Sequence, residues 1–172
     1  MKSVFIKPLY VFSLLILAST GWSYTPAENE KIQTFLNQTF DQQIPKPKRV
    51  WIKGEMKTSI QHILGRTSHK LSYRYWQADG KTVWLLDELG KERDITTAVV
   101  IKEQQVYAVK VLIYRESRGG EVQVPWFTEQ FKGAVHEGDW QNEIDGISGA
   151  TLSVWALKKQ TELALYLSQQ LS

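Results

Sequence analysis

The sequence predicts an α+β fold, mainly an antiparallel sheet with flanking N- and C-terminal helices. Two hairpin patterns follow each other directly between residues 71 and 114, which favours antiparallel pairing. Apolar residues at helical spacing precede this region at 26–40 and follow it at 150–169. The chain of 172 residues is long enough to form one domain with a substantial core.

Residues 1–23 have the features of a secretory signal peptide. Lys2 and Lys7 are their only charged side chains, an apolar run covers 9–18, and small residues suited to cleavage stand near position 23. An uncleaved membrane anchor is the alternative, although the apolar run is shorter than the roughly 20 residues that span a bilayer. We expect export to the periplasm or to the outer face of the cytoplasmic membrane, with a mature chain beginning near Tyr24.

Composition argues against several classes of protein. Residues 1–23 contain two of the 21 Lys and Arg and none of the 18 Asp and Glu, so the rest carries 19 positive and 18 negative charges. This balance gives no support for nucleic-acid binding, which would need basic residues clustered on one face. Because the chain has no cysteine, disulfides, thiolate iron–sulfur ligation and Cys-based zinc sites are excluded.

The segment 24–70 is predicted to form an N-terminal helix and a connector. Its expected elements are a docking helix at 26–40, an extended Pro-containing connector at 41–48, a short strand at 50–57 and a helical turn at 59–64. Gly65 ends that turn. His62 and His69 have no third ligand in a recognised zinc spacing, so we expect no metal site.

Four strands are predicted between residues 71 and 114. Alternating polar and apolar residues at 71–75 and a return strand at 82–86 flank Asp79-Gly80, a strong tight-turn dipeptide. A second pair comprises 95–102 and 106–114, with its turn at 103–105. Because the strand at 106–114 is rich in β-branched and aromatic residues, we expect it to lie at the centre of the sheet.

The segment between the strands and the last helix contains shorter elements. A helix is predicted from Pro125 to Gly133, with Trp126 and Phe127 either packed in the core or stacked on a ligand. Residues 142–144 are expected to form a short edge strand. The spacing of His136 gives no reason to place it at a ligand.

The terminal helix is predicted to run from about Ala150 to Gln169. No Pro or Gly interrupts it, and its apolar residues recur at intervals of roughly three to four. The residues expected on its buried stripe are Leu152, Trp155, Leu163, Tyr166, Leu167 and Leu171.

The start of this helix carries the strongest functional signal, in the sequence Asp145-Gly146-Ile147-Ser148-Gly149-Ala150-Thr151-Leu152-Ser153. The first N–H groups of a helix have no partner inside it, and hydroxyls and glycines around them suit a phosphate. Gly146 and Gly149 allow a bulky group to approach the main chain. The alternative is that Ser148 or Asp145 simply caps the helix.

This string resembles the attachment motif of the covalent FMN-binding domain family, which includes flavin subunits of the sodium-translocating NADH:quinone reductase and Rnf complexes. The family pattern is approximately Asp, two residues, Ser or Thr, Gly, Ala, Thr, one residue, and Ser or Thr, and the chain fits every position. The resemblance implies FMN bound covalently through a phosphoester to Thr151, with Ser148, Gly149 and Ala150 shaping the loop and Asp145 closing it. Its implied extent is residues 71–172. We assign Gly146 and Ser153 to the same cofactor site.

A charged loop, Tyr114-Arg115-Glu116-Ser117-Arg118-Gly119-Gly120-Glu121, follows the last predicted strand. In the family a Glu-Thr-Pro-Gly-like loop at this place approaches the flavin ring, and Glu116 resembles its Glu, whereas Ser117 and Arg118 replace Thr and Pro. Our hypothesis is that Arg115, Glu116 or Arg118 lies near the ring, where a cation would stabilise reduced flavin. A solvated turn with internal ion pairs is the alternative.

The resemblance implies an electron carrier, since the sequence has no nicotinamide-binding fingerprint and no defensible catalytic triad. The resemblance also implies a separate exported transferase that uses FAD and magnesium to install FMN, and we expect a redox protein or membrane complex to exchange electrons with the flavin. We assign no catalytic residue and no metal to this chain. The alternative is a flavin-free periplasmic binding or adaptor module.

Overall fold

The computed structural model describes residues 24–171 and shows an α+β architecture. A five-stranded antiparallel sheet has the order β1-β2-β3-β4-β5, so every strand pairs with its neighbours along the chain. The elements are α1 (Pro26–Thr39), β1 (Lys48–Trp51), α2 (Met56–Leu64), β2 (Ser72–Ala78), β3 (Lys81–Leu89), β4 (Asp94–Lys102), β5 (Gln105–Ile113), a 3-10 turn (Gly120–Gln123), α3 (Pro125–Thr128), a second 3-10 turn (Glu129–Phe131), α4 (Trp140–Glu143) and α5 (Thr151–Gln169). The predicted fold class is confirmed.

The two predicted hairpins are present because their turns adopt the backbone that tight hairpins need. Asp79 and Gly80 have φ values of 51° and 69°, and Glu103 and Gln104 have 53° and 60°. Two successive positive φ values are typical of a turn whose twist matches the flanking strands. Local turn chemistry therefore sets the register of β2–β3 and β4–β5.

Two hydrophobic cores lie on opposite faces of the sheet. Helix α1 packs one face through Ile32, Leu36 and Phe40, against Trp76 and other buried residues of the strands. On the other face α5 packs with α2 and the segment that connects β5 to α5. The sheet therefore holds α5 and the loops at the N-terminal end of α5 in fixed positions relative to each other.

The prediction that the strand at 106–114 is central was wrong. Strand β5 lies at one edge of the sheet, and the middle strand is β3. Alternate side chains of β5 are exposed, and Tyr107 is 54% exposed. Val106, Val109 and Val111 belong to the core beneath α5 and Ile113 to the core beneath α1, so the burial of these β-branched residues comes from packing against helices and does not require a central place in the sheet.

Two predictions in the last third of the chain also need correction. Residues 142–144 do not form a strand, because Trp140–Glu143 is a short helix with Trp140 buried. In α5, Leu163 and Leu167 are buried as expected, but Leu152 is 43% exposed and Trp155 is 55% exposed. Near the start of α5 the buried residues are Ser153, Val154, Ala156 and Leu157 instead, so this part of the helix meets the core with a different side from the one predicted.

The signal-peptide prediction falls on residues 1–23, outside the described residues. Among residues 24–171, no helix combines the length and apolar character required to span a bilayer.

Candidate functional site

The N-terminus of α5 has no side-chain cap. Ala150 occupies the N-cap position, where its N–H donates to the Ile147 carbonyl (3.0 Å). The first intrahelical bond runs from the Val154 N–H to the Ala150 carbonyl (3.0 Å). Capping by Ser148 or Asp145 is therefore not what forms this helix start, and the N–H groups of residues 151–153 have no acceptor within the helix, which favours an anionic group there.

A cleft of about 640 Å³ opens at this helix start. One wall is the start of α5, and the opposite walls come from the loop after β5 and from the β3–β4 turn. The lining residues are Lys91, Glu92, Glu116, Ser117, Arg118, Gly149, Ala150, Thr151, Leu152 and Ser153. Ser148 and Gly149 also line an adjoining opening with residues 117–121. The structure thus brings together the two segments that the sequence singled out.

A close approach of Gly119 to Ala150 holds the two segments together. A Cβ built on Gly119 would lie 2.7 Å from the Ala150 Cβ and 3.0 Å from the Tyr114 hydroxyl, and the Gly119 φ is +79°. Both the space and the backbone conformation require glycine here. The Tyr114 hydroxyl also donates to the Arg118 carbonyl and lies 3.2 Å from the Ser153 Oγ.

The Glu116 side chain connects two of the segments that form the cleft. Its Oε1 accepts from the backbone N–H groups of Lys91 (2.5 Å), Glu92 (2.7 Å) and Arg93 (3.1 Å). A Cβ on Gly90 would lie 2.6 Å from the same oxygen. Partial burial acts to raise the pKa of Glu116, but these three donors outweigh it and the pKa is lowered. Glu116 therefore anchors the β3–β4 turn to the loop after β5.

Arg115 and Arg118, three residues apart, face different parts of the molecule. The Arg115 guanidinium pairs with Glu28 of α1 (2.8 Å) and donates to the Thr96 Oγ1 (3.1 Å). It is not among the residues that line the cleft. Arg118 is exposed and lines it. Of the two arginines predicted near a ligand ring, the structure places only Arg118 beside Thr151.

Asp145 and Gly146 lie just outside the cleft lining. The Asp145 N–H donates to the Gln130 Oε1 (2.9 Å), and the Gln130 amide nitrogen donates to the Trp126 carbonyl (3.4 Å). These bonds fix the start of the 145–150 loop against the segment that contains α3. The Asp145 side chain is exposed.

Three other side chains, Trp126, Phe127 and His136, are not among the residues that line the cleft. Phe127 is fully buried and packs edge-on against Phe131, so it belongs to the core, whereas Trp126 is 54% exposed. His136 hydrogen-bonds Glu162 through its Nδ1. Within residues 24–171, no group of His, Asp and Glu side chains has the arrangement of a metal site.

Lys91 and Glu92 are cleft residues that sequence reasoning missed. They lie in the turn between β3 and β4, whose register pairs Leu89 with Asp94. The pairing of β3, β4 and β5 places this turn at the end of the sheet near the start of α5, and the hydrogen bonds to Glu116 fix it there. The charged turn Gly90-Lys91-Glu92-Arg93 was a visible signal, but its position required knowledge of the pairing across the sheet.

The part of the chain that contains this cleft matches a known family model. Residues 90–166 match the model of the FMN-binding domain, a span that includes every residue lining the cleft. No curated protein and no solved structure matches the chain.

Proposed function

Because residues 90–166 belong to the FMN-binding domain family, we propose that this protein carries FMN on Thr151 and acts in electron transfer. The family match supports FMN binding itself. The covalent linkage, the electron-transfer role and export from the cytoplasm are the proposed parts. The observation that carries the proposal is the position of the Thr151 hydroxyl in a cleft at an uncapped helix start.

The residues present fit the phosphate end of FMN. The N–H groups without an intrahelical acceptor and the positive end of the α5 dipole favour a phosphoryl group beside Thr151. Lys91 and Arg118 add two side-chain cations to the same cleft. Ser153 is buried and lies beside the Tyr114 hydroxyl, whereas Thr151 is exposed, so Thr151 is the more accessible hydroxyl.

Attachment would be carried out by a separate FAD-dependent transferase. In the balanced step, the Thr151 oxygen forms a bond to the phosphorus on the riboflavin side of FAD. The pyrophosphate bond breaks, AMP leaves, and the hydroxyl proton passes to a base. The magnesium that assists this step belongs to the transferase. On this chain the N–H groups of the helix start orient and neutralise the new phosphodiester.

FMN, when bound, supplies reversible redox chemistry, and this chain supplies its position and its electrostatic surroundings. A tethered cofactor stays at its site irrespective of dilution, which suits a carrier outside the cytoplasm. We propose that a redox protein or membrane electron-transfer complex exchanges electrons with it. N-terminal sequencing of the exported protein would test the proposed mature start near Tyr24.

The linkage is tested by intact-mass analysis of protein produced in a host that has the transferase. The expected mass gain is one FMN less one water, together with flavin fluorescence that survives denaturation. Thr151→Val should lose both while keeping its circular dichroism and unfolding midpoint. Ser148→Ala, which removes an exposed neighbouring hydroxyl, should keep both.

Two outcomes would contradict this proposal. Covalent flavin retained in Thr151→Val would move the linkage to another hydroxyl, such as that of Ser148 or Ser153. Bare polypeptide from a host with a working transferase would remove the covalent assignment, and noncovalent FMN binding could then be measured separately by titration.

A further inference from the structure

Positive charge is concentrated in one stretch of the chain. Residues 46–74 contain eight Lys and Arg but a single acidic residue, Glu55, which gives this stretch a formal charge of +7. Since the whole chain carries +3, the remaining residues together carry −4. Of these residues, Lys48 and Arg49 are in the edge strand β1, Lys53 follows it and Arg74 is in its neighbour β2, so these four charges lie at the β1 edge of the sheet.

Two arginines oppose each other directly at this edge. Arg49 of β1 is the register partner of Arg74 of β2, and like charges at such positions are destabilising. Arg49 donates to the Ser72 Oγ (3.2 Å), and Arg74 lies over the Trp76 ring. Burial lowers the pKa of Arg74, and the Arg49 charge acts in the same direction against the opposing influence of Tyr24 and Asp87. An anion beside the pair would relieve the repulsion.

A cavity of about 270 Å³ lies beside this pair. Its walls include Arg49, Lys70 and Arg74, together with Tyr24 and Ser72. This volume is large enough for a phosphate group and some of the atoms bonded to it. The Arg66 guanidinium is less available to an external anion, because it is paired with the buried Glu88 carboxylate (2.7 Å).

Large apolar side chains stand exposed next to these cations. Trp51 is 57% exposed at the end of β1, and Leu71 is 74% exposed immediately before β2. Ile52 donates its N–H to the Leu71 carbonyl (2.9 Å), which places the two exposed residues at the same corner of the sheet. Tryptophan and leucine flanked by lysine and arginine are typical of surfaces that enter the headgroup region of a bilayer.

The corner lies at the same end of the sheet as the flavin cleft. Strand β1 ends at Trp51, where β2 begins, and the β3–β4 turn that carries Lys91 closes the same end. The two sites occupy opposite halves of this end, since β1 and β5 are the two edges of a sheet whose strands are about 4.8 Å apart. A surface bound at the corner would therefore lie near the cleft.

We propose that the basic edge, defined as Lys48, Arg49, Trp51, Lys53, Leu71 and Arg74, docks on an anionic phospholipid bilayer. The paired arginines take a lipid phosphate, and Trp51 and Leu71 enter the interface. An acidic protein would satisfy the charges but would leave unexplained why Trp51 and Leu71 project at the same corner. The inference is independent of whether FMN is attached.

The test is co-sedimentation of the protein, as the cell produces it, with two kinds of vesicle. One contains phosphatidylcholine alone, and the other also contains phosphatidylglycerol. The measured quantity is the ratio of the two affinities, which cancels any binding that does not depend on anionic lipid. We expect a preference for phosphatidylglycerol that weakens with added salt, because each basic residue near a charged surface contributes electrostatically.

Paired variants locate the surface. Arg49→Ala/Arg74→Ala should weaken binding to the anionic vesicles about 30-fold, since each cation near such a surface is worth about 1 kcal/mol. Lys110→Ala/Lys132→Ala removes the same charge from exposed positions outside residues 46–74 and should have a much smaller effect. Trp51→Ser/Leu71→Ser tests the apolar part without altering charge, and it should weaken binding at constant salt sensitivity.

Several results would overturn the proposal. Equal losses in the two double-charge variants would show that net charge alone drives binding. Retention on polyglutamate or DNA without vesicle binding would assign the edge to another macromolecule. Competition by millimolar inorganic phosphate, with no vesicle binding, would reduce it to a small-anion site. If the arginine variant does not fold, the vesicle binding of Trp51→Ser/Leu71→Ser decides whether the proposal stands.

Discussion

The two ends of α5 differ in what surrounds them. From Leu157 onward the helix is almost enclosed, with the Gln160 amide donating to the carbonyls of Leu86 (3.0 Å) and Ile95 (2.8 Å). The Ser168 Oγ accepts from the Trp84 indole (2.7 Å). The first turn instead leaves Leu152 and Thr151 exposed and is held by the loops around it. A rigid helix body therefore presents an open helix start, as a site needs.

The largest expected effect tests whether the helix body supplies the stability. Leu157→Ala removes a fully buried side chain and should lower the free energy of unfolding by about 2–5 kcal/mol. Trp155→Ala, on the exposed side of the same helix, should change it by only about 0.5 kcal/mol. Urea denaturation measures both. Similar losses in the two variants would show that the exposed side of the helix contributes as much to stability as the buried side.

Gly119→Ala tests how the open end is held. The new Cβ would meet the Ala150 Cβ at 2.7 Å in a backbone with a φ of +79°, so we expect a loss of about 1–3 kcal/mol. The displaced helix start should also take up less FMN. Gly120→Ala is the control, because its Cβ would meet only the flexible Gln123 side chain (3.3 Å). Unchanged stability and flavin content in Gly119→Ala would contradict this account.

This difference between the two ends also explains what the sequence could predict. The Asp79-Gly80 turn and the length of α5 follow from local signals, and the structure confirms them. The exposure of Trp155 could not be predicted, because apolar spacing alone does not fix which side of the helix meets the core, and the structure buries Val154 and Leu157 on the other side. Lys91 reaches the cleft through pairing across the sheet, which no local pattern encodes.

Glu116 makes the stability of the protein around the open end of α5 depend on pH. Its folded-state pKa is below the ordinary value of 4.5, so its contribution to stability is complete above that pH. It is lost as pH falls through the folded pKa, when protonation weakens the bonds from residues 91–93. Glu116→Gln should therefore lose stability less steeply on acidification than the wild type. Glu143→Gln, at an exposed position, should keep the wild-type slope, and a wild-type slope in Glu116→Gln would contradict the prediction.

The smallest effect concerns the charge beside the proposed FMN, and Arg115 and Arg118 provide a matched pair. Arg118 lines the cleft, whereas Arg115 is bonded to Glu28 on the other face of the sheet. Because a nearby cation favours the negative charge of reduced flavin, Arg118→Ala should lower the midpoint potential. An exposed charge interaction of about 0.2–1 kcal/mol corresponds to about 5–20 mV for a two-electron couple. Arg115→Ala should instead weaken the docking of α1 and leave the potential unchanged, so a shift confined to Arg115→Ala would place the ring on the other side of the loop.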